Sequence, residues 1–227
     1  FCLSRGLGDV YKRQLDPAAT PGADLAALAR LAAEGGATLL QYRDKLSDGR
    51  LMVERARAIL AALAGSGVPL IVNDRVDVAL AAGAQGVHLG QSDVEPKDAR
   101  ALLGEAAIIG RTLGAEAHVR DLPCQLADYG CIGGVFPTAS KENPAPPIGL
   151  AGLVRLLGLA RSLGVSLPIG AIAGIGEENA ARVIDAGADG VAVISAIFVK
   201  PDPRAAAQSL RRAVDAALAL RPRRLAS

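Results

Sequence analysis

Aromatic residues are nearly missing from this chain: Phe, Trp and Tyr make up 3% of its 227 residues. The core therefore has to be assembled from Ala, Val, Ile and Leu. With 26 glycines and several Ala-rich stretches, that points to closely packed helix and strand layers. A surplus of charge of one sign is missing as well. Lys and Arg number 25 against 23 Asp and Glu, a formal net charge of +2, so there is no broad basic footprint for nucleic acid. Cysteine is scarce. Cys2, Cys124 and Cys131 fit neither a metal-binding spacing nor a disulfide framework, and a reducing cytoplasm is the expected compartment. No apolar run approaches the roughly 20 residues that span a bilayer. The N-terminus lacks the apolar core of a secretory signal, so no membrane partner is expected.

What the chain does contain is a recurring unit. GGATLLQYR, GVPLIVNDR, AQGVHLGQSD, AAIIGRT, YGCIGGVFPT, SLPIGAIAGIG and ADGVAVIS are short apolar runs that end in glycine or polar residues. Between them, apolar residues at three- and four-residue spacing predict helices near 22–35, 48–66, 75–83, 95–104, 115–128, 149–164, 177–187 and 203–220. Continuous apolar strands imply a parallel sheet covered on both faces, and strict alternation implies βα units. An α/β chain of this kind predicts a (β/α)8 TIM barrel over residues 15–220, at the short end of the range for that fold. The strand that should precede the first helix is the weak point. Its candidate, VYKRQLD at residues 10–16, carries Lys12, Arg13 and Gln14 where a barrel strand should be apolar. The segment FCLSRGLGDVYKRQ reads as foreign to the rest. Residues 1–14 are expected to be a non-native or disordered replacement of the first strand, a ragged native start being the alternative. Residues 221–227 read as a basic tail.

Active sites of this fold sit at the C-terminal ends of the strands. In LLQYRDKLSDG, Gln41, Arg43 and Lys45 follow one another at every second position, so an extended chain would turn all three the same way. The next strand ends in Asn73 and Asp74, and the one after runs through His88 to Asp93. Later ends bring Thr112, Thr138 with Ser140 and Lys141, the Gly174–Ile175–Gly176 loop, and Ile194 with Ser195. Arg43, Lys45 and Lys141 are cations suited to phosphate oxygens. Asp74 and Asp93 suit a divalent ion shared with phosphates. The glycine loop and the backbone near Ser195 suit a second anion. Taken singly, Asp74 reads equally well as a helix cap, His88 as a packed core residue and Gly174 with Gly176 as a turn. Their occurrence together at successive strand ends favours a site for two phosphorylated substrates.

QYRDK, VNDRVDVALAAGAQGVHLGQSD, IIGRT, CIGGVFPTASKENPAPPIGLAGL, PIGAIAGI and ADGVAVISAI, in order from about residue 24 to residue 200, resemble thiamine phosphate synthase. The resemblance implies a barrel enzyme that joins a hydroxymethylpyrimidine diphosphate to a thiazole phosphate with Mg²⁺. It implies that Arg43, Lys45 and Lys141 hold the diphosphate and that Asp74 and Asp93 hold Mg²⁺. Gln41 and Asn73 would contact the pyrimidine. Thr138 and Ser140 would bond phosphate oxygens or the thiazole, and Gly174, Ile194 and Ser195 would cradle the thiazole phosphate. Thr112 stands where the family commonly has serine, Ser140 where it often has threonine, and Ala173 where it often has glycine. A thiazole tautomerase of the same fold and a non-catalytic phosphoryl-ligand binder are the competing expectations. The oligomeric state stays open, a homo-oligomer included.

Overall fold

The computed structural model describes residues 10–138 and 146–221. Residues 10–15 form β1 (Val10–Leu15), and each of the seven apolar runs becomes a strand: β2 (Leu39–Tyr42), β3 (Leu70–Asn73), β4 (Gly86–Leu89), β5 (Ile108–Leu113), β6 (Tyr129–Ile132), β7 (Ile169–Ile172) and β8 (Gly190–Val193). The helices between and after them are α1 (Leu25–Glu34), α2 (Gly49–Ala62), α3 (Val76–Ala82), α4 (Pro96–Leu103), α5 (Glu116–Arg120), α6 (Gly149–Ser162), α7 (Glu177–Asp185), α8 (Ser195–Phe198) and α9 (Pro203–Leu220). The strands pair in parallel and in chain order, and β1 pairs with β8 to close the barrel.

Strand periodicity divides the core into two shells. Leu39, Ile71, Ile108, Tyr129, Cys131 and Ala192 point inward and form a small inner cluster. Their neighbours in sequence, such as Leu40, Val72, Ile109, Ile132 and Val191, join the larger shell between sheet and helices. Tyr129 is the aromatic member of the inner cluster, and its ring fits there because Gly110 has no side chain. A Cβ on Gly110 would collide with the Tyr129 ring.

The polar run at residues 10–15 forms β1 all the same. Lys12 lies opposite Leu39 on β2, and Val10 lies opposite Gly190 on β8. Ladder hydrogen bonds are made by the backbone, so a neighbouring pair of strands can recruit a chain whose side chains are unfavourable. The mismatch surfaces at Gln14. It is 5% exposed, and its amide nitrogen has no hydrogen-bond partner. Two elements differ from the sequence expectation. Helix α5 stops at Arg120 instead of running to 128, because Pro123 lacks an N–H and disfavours helical backbone at Leu122. The short helix α8 was not foreseen.

The N-terminal face of the barrel is closed by a clasp. Arg100 on α4, 8% exposed, donates through Nη1 to the carbonyls of Glu105 (3.1 Å) and Ala107 (2.6 Å) on the approach to β5. Its Nη2 donates to Leu126 O and to Asp128 Oδ2, both at 2.8 Å, on the approach to β6. Asp128 also accepts from the Ile109 N–H at 2.8 Å. Arg221, where the basic tail was expected to begin, donates to Ala188 O at 2.7 Å. Among the described residues, no helix is long and apolar enough to cross a membrane. The expectations for residues 1–9 and 222–227, and those for Ser140 and Lys141, lie outside the described residues.

Candidate active site

Strand β2 ends at Tyr42, so the extended pattern that was to turn Gln41, Arg43 and Lys45 one way stops after the first of them. The loop then splays the cations toward the ends of the two flanking strands. Arg43 Nη1 reaches Asp16 Oδ2, just past β1, at 2.5 Å. Lys45 Nζ pairs with Asp74 Oδ2, just past β3. Both cations stay at the mouth, each tied to a carboxylate.

The splay is set by Asp44, which sequence reasoning did not single out. Asp44 is 6% exposed, and its Oδ1 accepts the N–H groups of Leu46 and Ser47, each at 3.0 Å. Its Oδ2 accepts from Tyr42 Oη at 2.9 Å and Arg55 Nη1 at 2.8 Å. Burial alone would raise its carboxyl, but these donors overcome that and hold it at about 2. A depressed carboxyl stabilises the fold above its unfolded value, and that contribution disappears as pH falls through the folded value. For Asp44 the window runs from about pH 4 down to about 2 and is worth about 2 kcal/mol. Asp44→Asn is therefore expected to flatten the acid limb of stability in this window. Denaturant titrations at a series of pH values check it, and an unchanged limb would remove the charge from the account.

Asp74 does not cap α3. That helix begins after Arg75 with no side-chain cap. The Asp74 backbone is instead left-handed, φ 64°, with its N–H on His88 O at 2.9 Å. Its carboxyl is held above the ordinary range, chiefly by burial. The like charge of Asp93 adds to the rise, and Lys45 opposes it. Asp93 itself is fixed by the Gly90 N–H, 2.6 Å from Oδ2. The loop that carries it is clamped by Arg111, whose Nη1 donates to Gly90 O at 2.7 Å, and by Gln91, whose Nε2 donates to Thr112 O at 2.6 Å. Two adjacent carboxylates, one of them partly buried and incompletely neutralised, fit a hard cation that takes oxygen ligands. Among the described residues no group of three His, Cys, Asp or Glu forms a metal cluster. Most of such an ion's shell would come from phosphate oxygens and water, the usual habit of Mg²⁺.

The floor of this mouth is polar. Gln41 Nε2 donates to Asn73 Oδ1 at 2.6 Å, while Gln41 Oε1 is buried without a partner. Gln14 lies opposite Gln41 in the ladder, so an unpaired donor and an unpaired acceptor sit on neighbouring strands. Buried polar atoms without partners are rare in folded proteins and mark positions where a ligand can complete the bonding.

Thr138, Gly174, Ile194 and Ser195 meet separately, around a cavity of about 800 Å³ at the ends of β7 and β8. Gly174 is required there. Its φ is +61°, and a Cβ would meet the Pro137 carbonyl and lie 2.7 Å from Phe136 Cβ. Asn179 braces the turn, accepting from the Gly176 N–H at 3.0 Å and donating to Gly174 O at 2.9 Å. The unforeseen helix α8 begins at Ser195, and a short extra helix after the eighth strand is the usual phosphate-binding feature of this fold. The described candidate residues thus gather into two neighbourhoods at the C-terminal ends of the strands.

The thiamine monophosphate synthase family model matches residues 12–197. A thiamine-phosphate synthase of Agrobacterium fabrum is 52% identical over 199 residues, 88% of this chain and 90% of that protein. One from Chlorobium phaeovibrioides is 45% identical over 192 residues, 85% of this chain and 90% of that one. Among solved structures, a thiamine phosphate pyrophosphorylase from Pyrococcus furiosus superposes with a TM-score of 0.80 at 34% identity, covering 95% of this chain and 99% of that one. With fold, family model and relatives in agreement over most of its length, the chain belongs to the thiamine monophosphate synthase family of enzymes.

Proposed function

We propose that this enzyme condenses 4-amino-2-methyl-5-hydroxymethylpyrimidine diphosphate with a thiazole phosphate, giving thiamine phosphate and pyrophosphate in the cytoplasm. The observation that carries this reading is the arrangement of Lys45 on Asp74 beside Asp93. A cation next to paired carboxylates at adjacent strand ends suits a diphosphate that arrives with its own metal. Arg43, Lys45 and Lys141 grip the diphosphate oxygens. Asp74 and Asp93 hold Mg²⁺, which when bound supplies Lewis-acid stabilisation of the leaving group. Gln41 and Asn73 orient the aminopyrimidine, and the cavity at Gly174 and Ser195 takes the thiazole phosphate.

The carbon–oxygen bond to the diphosphate breaks with its electron pair leaving on oxygen. Positive charge that develops on the methylene carbon spreads into the aminopyrimidine ring. The thiazole nitrogen lone pair then forms the new carbon–nitrogen bond. No covalent enzyme intermediate is needed, so the protein acts by electrostatics, alignment and exclusion of water.

The test mixes the purified chain with both substrates and Mg²⁺, follows thiamine phosphate by mass, and omits each component or adds chelator in parallel. Product that needs every component is the expected result. A folded chain that makes none, and instead isomerises a thiazole carboxylate phosphate or only binds phosphorylated ligands, would overturn it.

A further inference from the structure

Inside the barrel three polar side chains from three strands are joined end to end. Tyr129 Oη on β6 lies 2.8 Å from His88 Nδ1 on β4, and His88 Nε2 lies 2.9 Å from Thr112 Oγ1 on β5. The tyrosine and histidine rings stack with centroids 5.5 Å apart. We propose that His88 and Tyr129 are positioning residues, which hold the Thr112 hydroxyl as a hydrogen-bond donor toward the mouth of the barrel.

The direction follows from proton counting. Tyr129 sits among Leu39, Ile71, Ile108 and Ala192, and the imidazole nitrogen is an acceptor within hydrogen-bonding reach of its hydroxyl. Burial pushes its phenol well above the ordinary value, and it keeps its proton at working pH. A phenol that donates to Nδ1 leaves the imidazole proton on Nε2, the second nitrogen being set by the bond the first one makes. Nε2 then donates to Thr112 Oγ1. The Thr112 proton is left to point away from His88, toward an acceptor. Pyrimidine ring nitrogens and diphosphate oxygens are acceptors of this kind, so the inference rests on the synthase reading above and adds a polarity requirement to it. It also engages both nitrogens of His88, which leaves this histidine unsuited to shuttle a proton, as a displacement without a general base allows.

The test has a spectroscopic arm that needs no turnover. The chain has 2 histidines, so in a His118→Gln background ¹⁵N-labelled histidine reports His88 alone. A neutral imidazole protonated on Nε2 is expected, with the tautomers mixing in Tyr129→Phe. Protonation on Nδ1, or a Tyr129→Phe spectrum identical to the parent's, would overturn the proposal. In the kinetic arm, Thr112→Ser retains kcat/KM for the pyrimidine diphosphate and Thr112→Val loses about tenfold, the value of one hydrogen bond to a ligand. His88→Gln, which places an amide N–H near the Nε2 position, retains more activity than His88→Leu. Equal activity in those two variants would also overturn it. Failure of the parent to make thiamine phosphate at all would refute the synthase reading and leave the tautomer result standing.

Discussion

Asp74→Asn is expected to lower turnover on the order of 10²- to 10³-fold while leaving the melting temperature nearly where it was. Asparagine is the informative replacement because of the backbone. Asp74 has φ 64°, a left-handed conformation that Asp and Asn tolerate. Alanine there would add about 1–2 kcal/mol of strain and confuse chemistry with folding. The amide keeps the shape and removes the charge. Folding gives up little, because the carboxyl is partly buried beside Asp93 and its partner Lys45 is about half exposed. The Mg²⁺ requirement should move to higher concentration as activity falls. Asp93→Asn should behave alike, and the double variant should lose far less than the product of the two single losses, as groups that act as one unit do. Steady-state rates against Mg²⁺ concentration, with thermal melts of the same preparations, decide the matter. Full turnover in Asp74→Asn would mean the carboxylate pair is not the metal site.

How much of this could be read from the sequence depended on range. Strands β2 to β8 were legible because buried parallel strands are continuous apolar runs. β1 was doubtful because its residues are polar, and its place comes from the ladders on either side. Helix α8 has 4 residues, too few to show a helical period. In the site, residue types at strand ends were legible and their pairings were not. Arg43 finds Asp16 across 27 residues, Lys45 finds Asp74 across 29, and His88 finds Tyr129 across 41. Nothing local in QYRDK tells Asp44, the loop's anchor, from a solvated charge. Its importance lies in being 6% exposed, which only the folded barrel reveals.

Arg100→Leu should have the opposite profile, with a stability loss of about 3–5 kcal/mol and an unchanged kcat per folded molecule. The guanidinium serves the carbonyls of Glu105, Ala107 and Leu126 as well as Asp128. Leucine abandons those acceptors and takes the Arg100 charge away from a carboxylate that is 5% exposed. Against a typical total of about 5–15 kcal/mol, such a loss empties much of the folded population at ordinary temperature. Adding Asp128→Asn should return part of it, since an amide oxygen can still accept from the Ile109 N–H while the buried charge is gone. Catalysis should not notice, because the clasp binds the approaches to β5 and β6 at the face opposite the substrate mouth. Urea titrations of the single and double variants, paired with kcat measured at low temperature, test both halves. A fall in kcat per folded molecule would show that the two faces are coupled through the strands. The expected result is that Asp74→Asn costs rate without stability and Arg100→Leu costs stability without rate.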